Sequence, residues 1–313
     1  MFEKVQEPRI VYMGTPEISA NVLKGLIEAG FTIVGLVCNE DKITGRKGKI
    51  EPPATKVVAL ERGIPVFQPH RIKTDYEWLK DLKPDVIVTM AYGQIVPKGV
   101  LEIPPFGCIN LHGSLLPKLR GAAPMQRAII NGEAYTGVTL MEMVEKMDAG
   151  RMYDSASVKI NDDDNYSTLS IKIGEAAKNL IVKDLLSYLN GELPGKEQNE
   201  EEVTFAAKIL PPEEHLDLSL DANSLLRYIR GLSKTPGGYL SLEGKKVKIY
   251  SAVLDSYNES SNIGEIVDDH KKLVFQAKGG TISILSLQME GKKEMDAKSF
   301  LNGNHDLKGK RFD

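Results

Sequence analysis

Over its first half the chain alternates short apolar runs rich in β-branched residues with helical patterns, and few architectures accept that order. Residues 9–13 (RIVYM) and 31–37 (FTIVGLV) read as strands covered on both faces, because their apolar character is continuous rather than alternating. Between them Thr15 and Pro16 predict a helix start, with Thr as N-cap and Pro at the first helical position. Leu23, Leu26 and Ile27 then supply one apolar face and Gly30 a stop. A second helix is expected from about Pro53 to Arg62, leading into IPVF at 64–67. Further strands are expected at 85–90 (DVIVTM), 107–112 (GCINLH) and 136–143 (TGVTLMEM). Strands that alternate with helices imply βαβ units and a largely parallel sheet.

Past that region the texture changes twice. Residues 165–190 are helical in pattern and Gly191 follows as a stop, whereas 191–202 (GELPGKEQNEEE) have the charge and glycine content of a linker. Beyond it, a helical stretch at 221–230 precedes short β-like runs (YLSL, KVKIY, KLVFQA, TISILSLQ) separated by glycine turns, the pattern of a small β-barrel or sandwich. The 313 residues therefore divide into an α/β domain at 1–190, a linker at 191–205 and a β-rich domain at 206–313. No apolar run reaches the roughly 20 residues of a bilayer span, and MFEKVQEPRIVYMG has no signal-peptide core. Two cysteines, Cys38 and Cys108, make no disulfide framework, so a reducing, cytoplasmic setting without membrane attachment is expected. The net charge of −3 means that a polyanion would be held by a local patch, not by the field of the whole molecule.

Chemistry is concentrated in NLHGSLLPKLRGAAP at 110–124. Asn110 and His112 are two apart on a predicted strand, so both project from one face while Leu111 faces the other. The strand breaks at Gly113, and ligands of open parallel sheets sit beyond the carboxyl ends of the strands. An amide beside an imidazole suits addition to a carbonyl: the amide donates to the developing oxyanion and the imidazole moves a proton. The same pair also occurs as satisfied structural groups at a strand end. Asp148, in MVEKMDAGRM, orients that imidazole if the fold brings it close, and is otherwise an acidic turn residue. Only one glycine marks the first strand-to-helix turn, and neither G-x-G-x-x-G nor a P-loop is present, which argues against NAD, FAD or ATP. The five histidines and two cysteines are dispersed, with no metal-ligand spacing, and Ser114 lacks the context of a nucleophile. In the 41–56 loop, Lys42, Arg46, Lys47, Lys49 and Lys56 face only Asp41 and Glu51. Its glycines suggest a flexible arm for phosphates or, more plainly, a solvated loop. Lys245, Lys246, Lys248, Lys308, Lys310 and Arg311 add scattered positive charge to the C-terminal half.

NLHGSLLPKLRGAAPMQRAIINGE followed by TGVTLMEMVEKMDAG resembles the signature of the methionyl-tRNA formyltransferase family. The likeness extends to IVYMGTPEISANVLKGL, GRKGK, VFQPHRIK, VIVTMAYGQIVPKGVLEIP and GKKEMDAKSFLNG, and so covers nearly the whole chain. The N-H-x-S-L-L-P core is shared with other formyltetrahydrofolate enzymes, whereas GAAPMQ, the basic loop and the long C-terminal half point to the tRNA branch. The resemblance implies a Rossmann-like parallel sheet with the formyltransferase fold and a C-terminal OB-like barrel. It implies transfer of formyl from 10-formyltetrahydrofolate to methionine on initiator tRNA, with no metal or nucleotide cofactor, by a monomer. It casts Asn110, His112 and Asp148 as catalytic residues and Ser114, Leu115, Leu116 and Pro117 as a folate segment. Backbone near 90–94 and 141–144 is expected beside the folate. Lys42, Arg46, Lys47 and Lys49 become tRNA contacts. The chain departs from the pattern at Leu119, where an aromatic is usual, and in HLDLSL and Lys234–Gly238, where tryptophans are usual; its only tryptophan is Trp78. Two rival readings remain: a formyltransferase for a small amine, and a non-catalytic RNA-binding module.

Overall fold

The computed structural model describes residues 4–44 and 48–313. In the first half β1 (Arg9–Gly14), α1 (Glu17–Glu28), β2 (Thr32–Val37), β3 (Lys42–Thr44), β4 (Lys49–Glu51), α2 (Ala54–Glu61), β5 (Val66–Phe67), β6 (Val86–Met90), α3 (Lys98–Leu101) and β7 (Cys108–His112) follow one another. Next come α4 (Pro124–Ile130), β8 (Tyr135–Glu142), β9 (Met152–Lys159) and the long α5 (Tyr166–Leu189). The chain gathers into two compact units that are not continuous in sequence. The first comprises Met1–Pro124, Tyr135–Lys159 and Ser170–Ala206; the second comprises Met125–Ala134, Ile160–Leu169 and Ala207–Asp313.

The first unit is built on a seven-stranded sheet in the order β5-β2-β1-β6-β7-β8-β9. Its first five strands are parallel, as the alternation predicts. The runs with unbroken apolar character are the central ones: Ile10, Val11, Tyr12 and Met13 of β1 and Val86, Ile87 and Val88 of β6 are fully buried. The expected helix start is displaced by one residue. Pro16 occupies the N-cap position, and Thr15 Oγ1 instead donates to Tyr92 O at 3.0 Å and accepts from Asn39 N at 3.2 Å, tying the end of β1 to two neighbouring loops.

Two further differences bear on the site. The strand at 136–143 does not extend the parallel array: β8 runs antiparallel to β7, and β9 antiparallel to β8. β9 (MYDSASVK) gives little strand signal in the sequence because, toward its far end, this edge strand alternates exposed with half-buried positions and carries few apolar side chains. The segment after α5 is not a loose tether either. Lys196 and Met152 exchange backbone hydrogen bonds at 2.8 Å, and Arg120 N donates to Thr204 O while Ala206 N donates to Arg120 O. Its polar composition reflects side chains used for hydrogen bonding within the first unit.

The second unit carries α6 (Ala222–Leu232), β10 (Tyr239–Leu242), β11 (Lys245–Ser256), β12 (Ile266–Asp268), β13 (Leu273–Ala277), β14 (Gly280–Met289), β15 (Met295–Asp296) and α7 (Ala297–Asn302). Its strands are antiparallel in the order β10-β11-β14-β13-β12, with β15 paired to β14. The last residues reach both edges of that sheet. Ser241 and Asp313 exchange backbone hydrogen bonds at 2.8 and 2.9 Å, while Phe312 N donates to Gly264 O and Ile266 N to Lys310 O. The unit has a core of its own, with Leu225, Ile229 and Leu232 of α6 against Phe275, Ile282, Leu287, Phe300 and Phe312. Asp221 caps α6 by accepting from Ser224 N at 3.0 Å. Among the described residues no helix is long and apolar enough to cross a membrane.

Candidate active site

Strands β6 and β7 run parallel with Thr89 in register with Asn110, so the carboxyl ends of both reach one rim of the sheet. Asn110 is half-buried there, and Thr89 Oγ1 lies 2.7 Å from its Oδ1. In this placement the Thr89 hydroxyl donates to the amide oxygen, which leaves Nδ2 as the donating end of the side chain.

His112, 5% exposed, is two residues further along the same face. Its Nε2 is 2.9 Å from Leu119 O. A carbonyl only accepts, so Nε2 carries a hydrogen and Nδ1 is the nitrogen left for other work. Nδ1 faces Asp148 Oδ1 at 3.6 Å, and Asp148 Oδ2 accepts from Gly121 N at 2.8 Å. The fold thus brings Asp148 to the imidazole, which sequence spacing alone left open. Both backbones flanking this arrangement are strained: Leu119 has φ +60° and Asp148 φ +51°, left-handed values that cost on the order of 1–3 kcal/mol in non-glycine residues.

Around Asp148 the backbone is held by groups to which no sequence pattern gives a role. Gln198 Nε2 donates to both Asp148 O and Gly150 O at 2.8 Å, and Gln198 Oε1 accepts from Arg120 Nε at 2.9 Å. Arg120 is 1% exposed, and its Nη2 reaches Glu200 at 2.9 Å. The Arg120 guanidinium, with Lys146 beside it, holds the Glu200 carboxyl below the usual carboxylate range. Gly150 has no room for a side chain, since a Cβ there would stand 2.0 Å from Glu142 O. Arg120 and Gly150 fall within the signature segments, whereas Gln198 sits in a stretch of linker composition and Thr89 looks like one more β-branched strand residue.

The Ser114–Pro117 segment is fastened to β8. Thr139 Oγ1 donates to Ser114 O at 2.8 Å and accepts from Leu116 N at 3.1 Å. Ser114 is buried and its hydroxyl donates to Lys118 O at 2.7 Å, so the side chain is occupied. Leu116 is buried too; Leu115 and Pro117 are half-buried and present apolar surface. Met141 on β8 pairs with Asn110, placing that backbone beside the amide.

The described residues of the basic loop, 41–44 and 48–56, hold two short paired strands and the start of α2. Strands β3 and β4 form a hairpin with Lys42 opposite Glu51 and Ile43 opposite Ile50. Alternation puts Lys42 and Lys49 on one face, Lys49 lying 3.8 Å from Glu51, and the exposed Ile43 and Ile50 on the other. Arg46 and Lys47 lie outside the described residues. At the base of the hairpin Lys56 Nζ contacts Asp41 at 2.8 Å, and that bond, with one donated by Gln68 Nε2 to Asp41 Oδ1 at 2.8 Å, holds the Asp41 carboxyl below its ordinary range. In the second unit Lys246 lies over the Tyr239 ring at 3.7 Å and Lys310 pairs with Glu243 at 2.9 Å. Among the described residues no group of three or more His, Cys, Asp or Glu is arranged to hold a metal ion.

Known proteins share both the architecture and the sequence. The formyl transferase family matches residues 8–185, and the formyl transferase C-terminal domain matches residues 208–305. The methionyl-tRNA formyltransferase of Malacoplasma penetrans is 41% identical over 301 residues, covering 96% of this chain and 95% of that protein. That of Macrococcus caseolyticus is 43% identical over 309 residues, covering 97% and 98%. That of Bacillus subtilis is 40% identical over 301 residues, covering 95% of each. Among solved structures, HypX from Aquifex aeolicus in complex with tetrahydrofolic acid superposes with TM-score 0.70 at 16% identity, over 95% of this chain and 47% of that one. WlaRD, a sugar 3N-formyl transferase, does so with TM-score 0.66 at 17% identity, over 92% of this chain and all of that one. At such identities the superpositions speak for the fold, whereas the three bacterial relatives speak for the family over almost the full length. The chain belongs to the methionyl-tRNA formyltransferase family.

Proposed function

We propose that this chain transfers the formyl group of 10-formyltetrahydrofolate to the α-amino group of methionine on initiator tRNA, using Asn110, His112 and Asp148. The observation that carries this reading is the rim of β6 and β7, where Asn110 keeps Nδ2 as a donor and His112 turns Nδ1 toward Asp148. The amine attacks the formyl carbon, a C–N bond forms, and the carbonyl oxygen becomes an oxyanion. Asn110 Nδ2 donates to that oxygen, a contribution of about 3 kcal/mol for one such donor. The methionine amine has a pKa of about 7.7–8.0, so an appreciable fraction attacks without a strong base. Asp148 and His112 Nδ1 take up the proton the nitrogen sheds, directly or through water. The tetrahedral intermediate collapses as the bond to folate N10 breaks and N10 receives a proton, so protons balance. Leu115 and Pro117 offer the folate an apolar wall, and backbone near 90–94 and 141–144 completes its site.

In the same reading residues 1–190 are catalytic, and 206–313 hold the tRNA body on an OB-like sheet. Lys42, Arg46, Lys47 and Lys49 contact phosphates near its acceptor end. The reaction takes place in the cytoplasm. A small-amine substrate leaves the hairpin and the second unit without a task. The test is incubation of the protein with 10-formyltetrahydrofolate and methionyl initiator tRNA, reading the aminoacyl nucleotide by mass after nuclease digestion. Formylation of the initiator but not the elongator methionyl-tRNA is expected. Formylation of amino sugars in its place refutes the tRNA assignment.

A further inference from the structure

We infer that Gln198 is a positioning residue for Asp148, so that the segment following α5 completes the catalytic centre; the inference rests on the proposed reaction. Asp148 stands in a left-handed conformation at φ +51°, which an aspartate adopts at a cost unless its neighbours hold it. Two contacts meet that need. Gly121 N fixes the carboxylate at Oδ2, and Gln198 Nε2 fixes the backbone by donating to the carbonyls of Asp148 and Gly150. The amide of Gln198 is itself unambiguous in orientation, because Arg120 Nε, which can only donate, holds its Oε1. Arg120 is in turn sealed from solvent and braced by Glu200, which also meets Lys146 at 3.0 Å. A chain of donors and acceptors therefore runs from Glu200 through Arg120 and Gln198 to the Asp148 peptide. The Asp148 carboxylate lies 3.6 Å from His112 Nδ1, a separation that a small movement of this turn would change.

The variant that isolates the effect is Gln198→Glu. It keeps the shape and the bond to Arg120, and replaces the two N–H donors by an oxygen facing two carbonyls. With purified full-length protein and methionyl initiator tRNA, kcat is expected to fall roughly 10- to 100-fold, as misplacement of a reacting group by up to about 1 Å does. KM for both substrates should stay within about threefold, since neither is touched. In an Asp148→Asn background the same substitution should change kcat by less than about twofold, because its effect runs through Asp148. A merely structural role would give the same factor in both backgrounds, and that result overturns the inference. So does an unchanged kcat in the single variant. Where Gln198→Glu does not yield folded protein by circular dichroism, Gln198→Ala carries the same comparison. Formylation by the wild type together with an indifferent Gln198 overturns this inference alone; an inactive wild type overturns the proposed reaction and this inference with it.

Discussion

Replacing Thr89 by valine tests how the Asn110 amide is oriented. Thr89 is 2% exposed, and valine fills the same space without the hydroxyl that meets Asn110 Oδ1 at 2.7 Å. One neutral hydrogen bond is worth about 1 kcal/mol net, and losing it frees the amide to turn its oxygen toward the reacting carbonyl. That corresponds to a drop of about fivefold in kcat. Asn110→Ala removes the donor itself, about 3 kcal/mol, and should lower kcat on the order of 100-fold. Single-turnover formylation at saturating tRNA and folate, with KM measured separately, reads both effects. Because Thr89 acts through Asn110, adding Thr89→Val to Asn110→Ala should change nothing further. A Thr89→Val enzyme as fast as wild type would show that another group orients the amide. An Asn110→Ala enzyme with nearly full activity would refute the oxyanion role outright.

Other predictions concern different parts of the chain. Lys42→Ala with Lys49→Ala should weaken tRNA binding, and should reduce the slope of log Kd against log salt by roughly one to two, read by titration at several salt concentrations; an unchanged slope removes the hairpin from the interface. Arg127 holds the Glu213 carboxyl below its reference value of 4.5, with the guanidinium and carboxylate 2.7 Å apart. A depressed folded-state pKa contributes stability that is whole above 4.5 and is lost as pH falls through the lower value. The melting temperature of Glu213→Gln should accordingly lie below wild type at neutral pH and converge with it in acid, and parallel curves would contradict this. Burial pushes the Cys38 thiol up to about 11 and the Cys108 thiol up to about 12. Both should resist a thiol reagent at neutral pH in native protein and react fully in denaturant, whereas rapid native labelling would show that one is accessible.

The parallel core was legible because β1 and β6 are buried on both faces and, with β2, read as apolar runs. The direction of β8 was not, since an antiparallel partner leaves no mark on apolar periodicity, and β9 fell below notice as a half-exposed edge. Asn110 and His112 declared themselves by their spacing on one strand face. Asp148 reaches His112 only through the turn after β8, a tertiary relation carried in the sequence by resemblance alone. Thr89 and Gln198 were invisible for a further reason: their contribution lies in what they hold, and a buried threonine or a glutamine among glutamates has no pattern until the partner atoms are placed. The 191–205 stretch shows the same limit, its composition fitting a tether while its backbone and side chains lock onto the first unit.

The most direct test of the central claim separates binding from chemistry at His112. Affinity of His112→Ala for methionyl initiator tRNA is measured by filter binding, and its single-turnover rate with 10-formyltetrahydrofolate by mass detection of formylmethionyl nucleotide. The account predicts unchanged affinity and a rate lowered on the order of 100-fold or more. A wild-type rate, or a loss of affinity with the bound complex reacting normally, would contradict it.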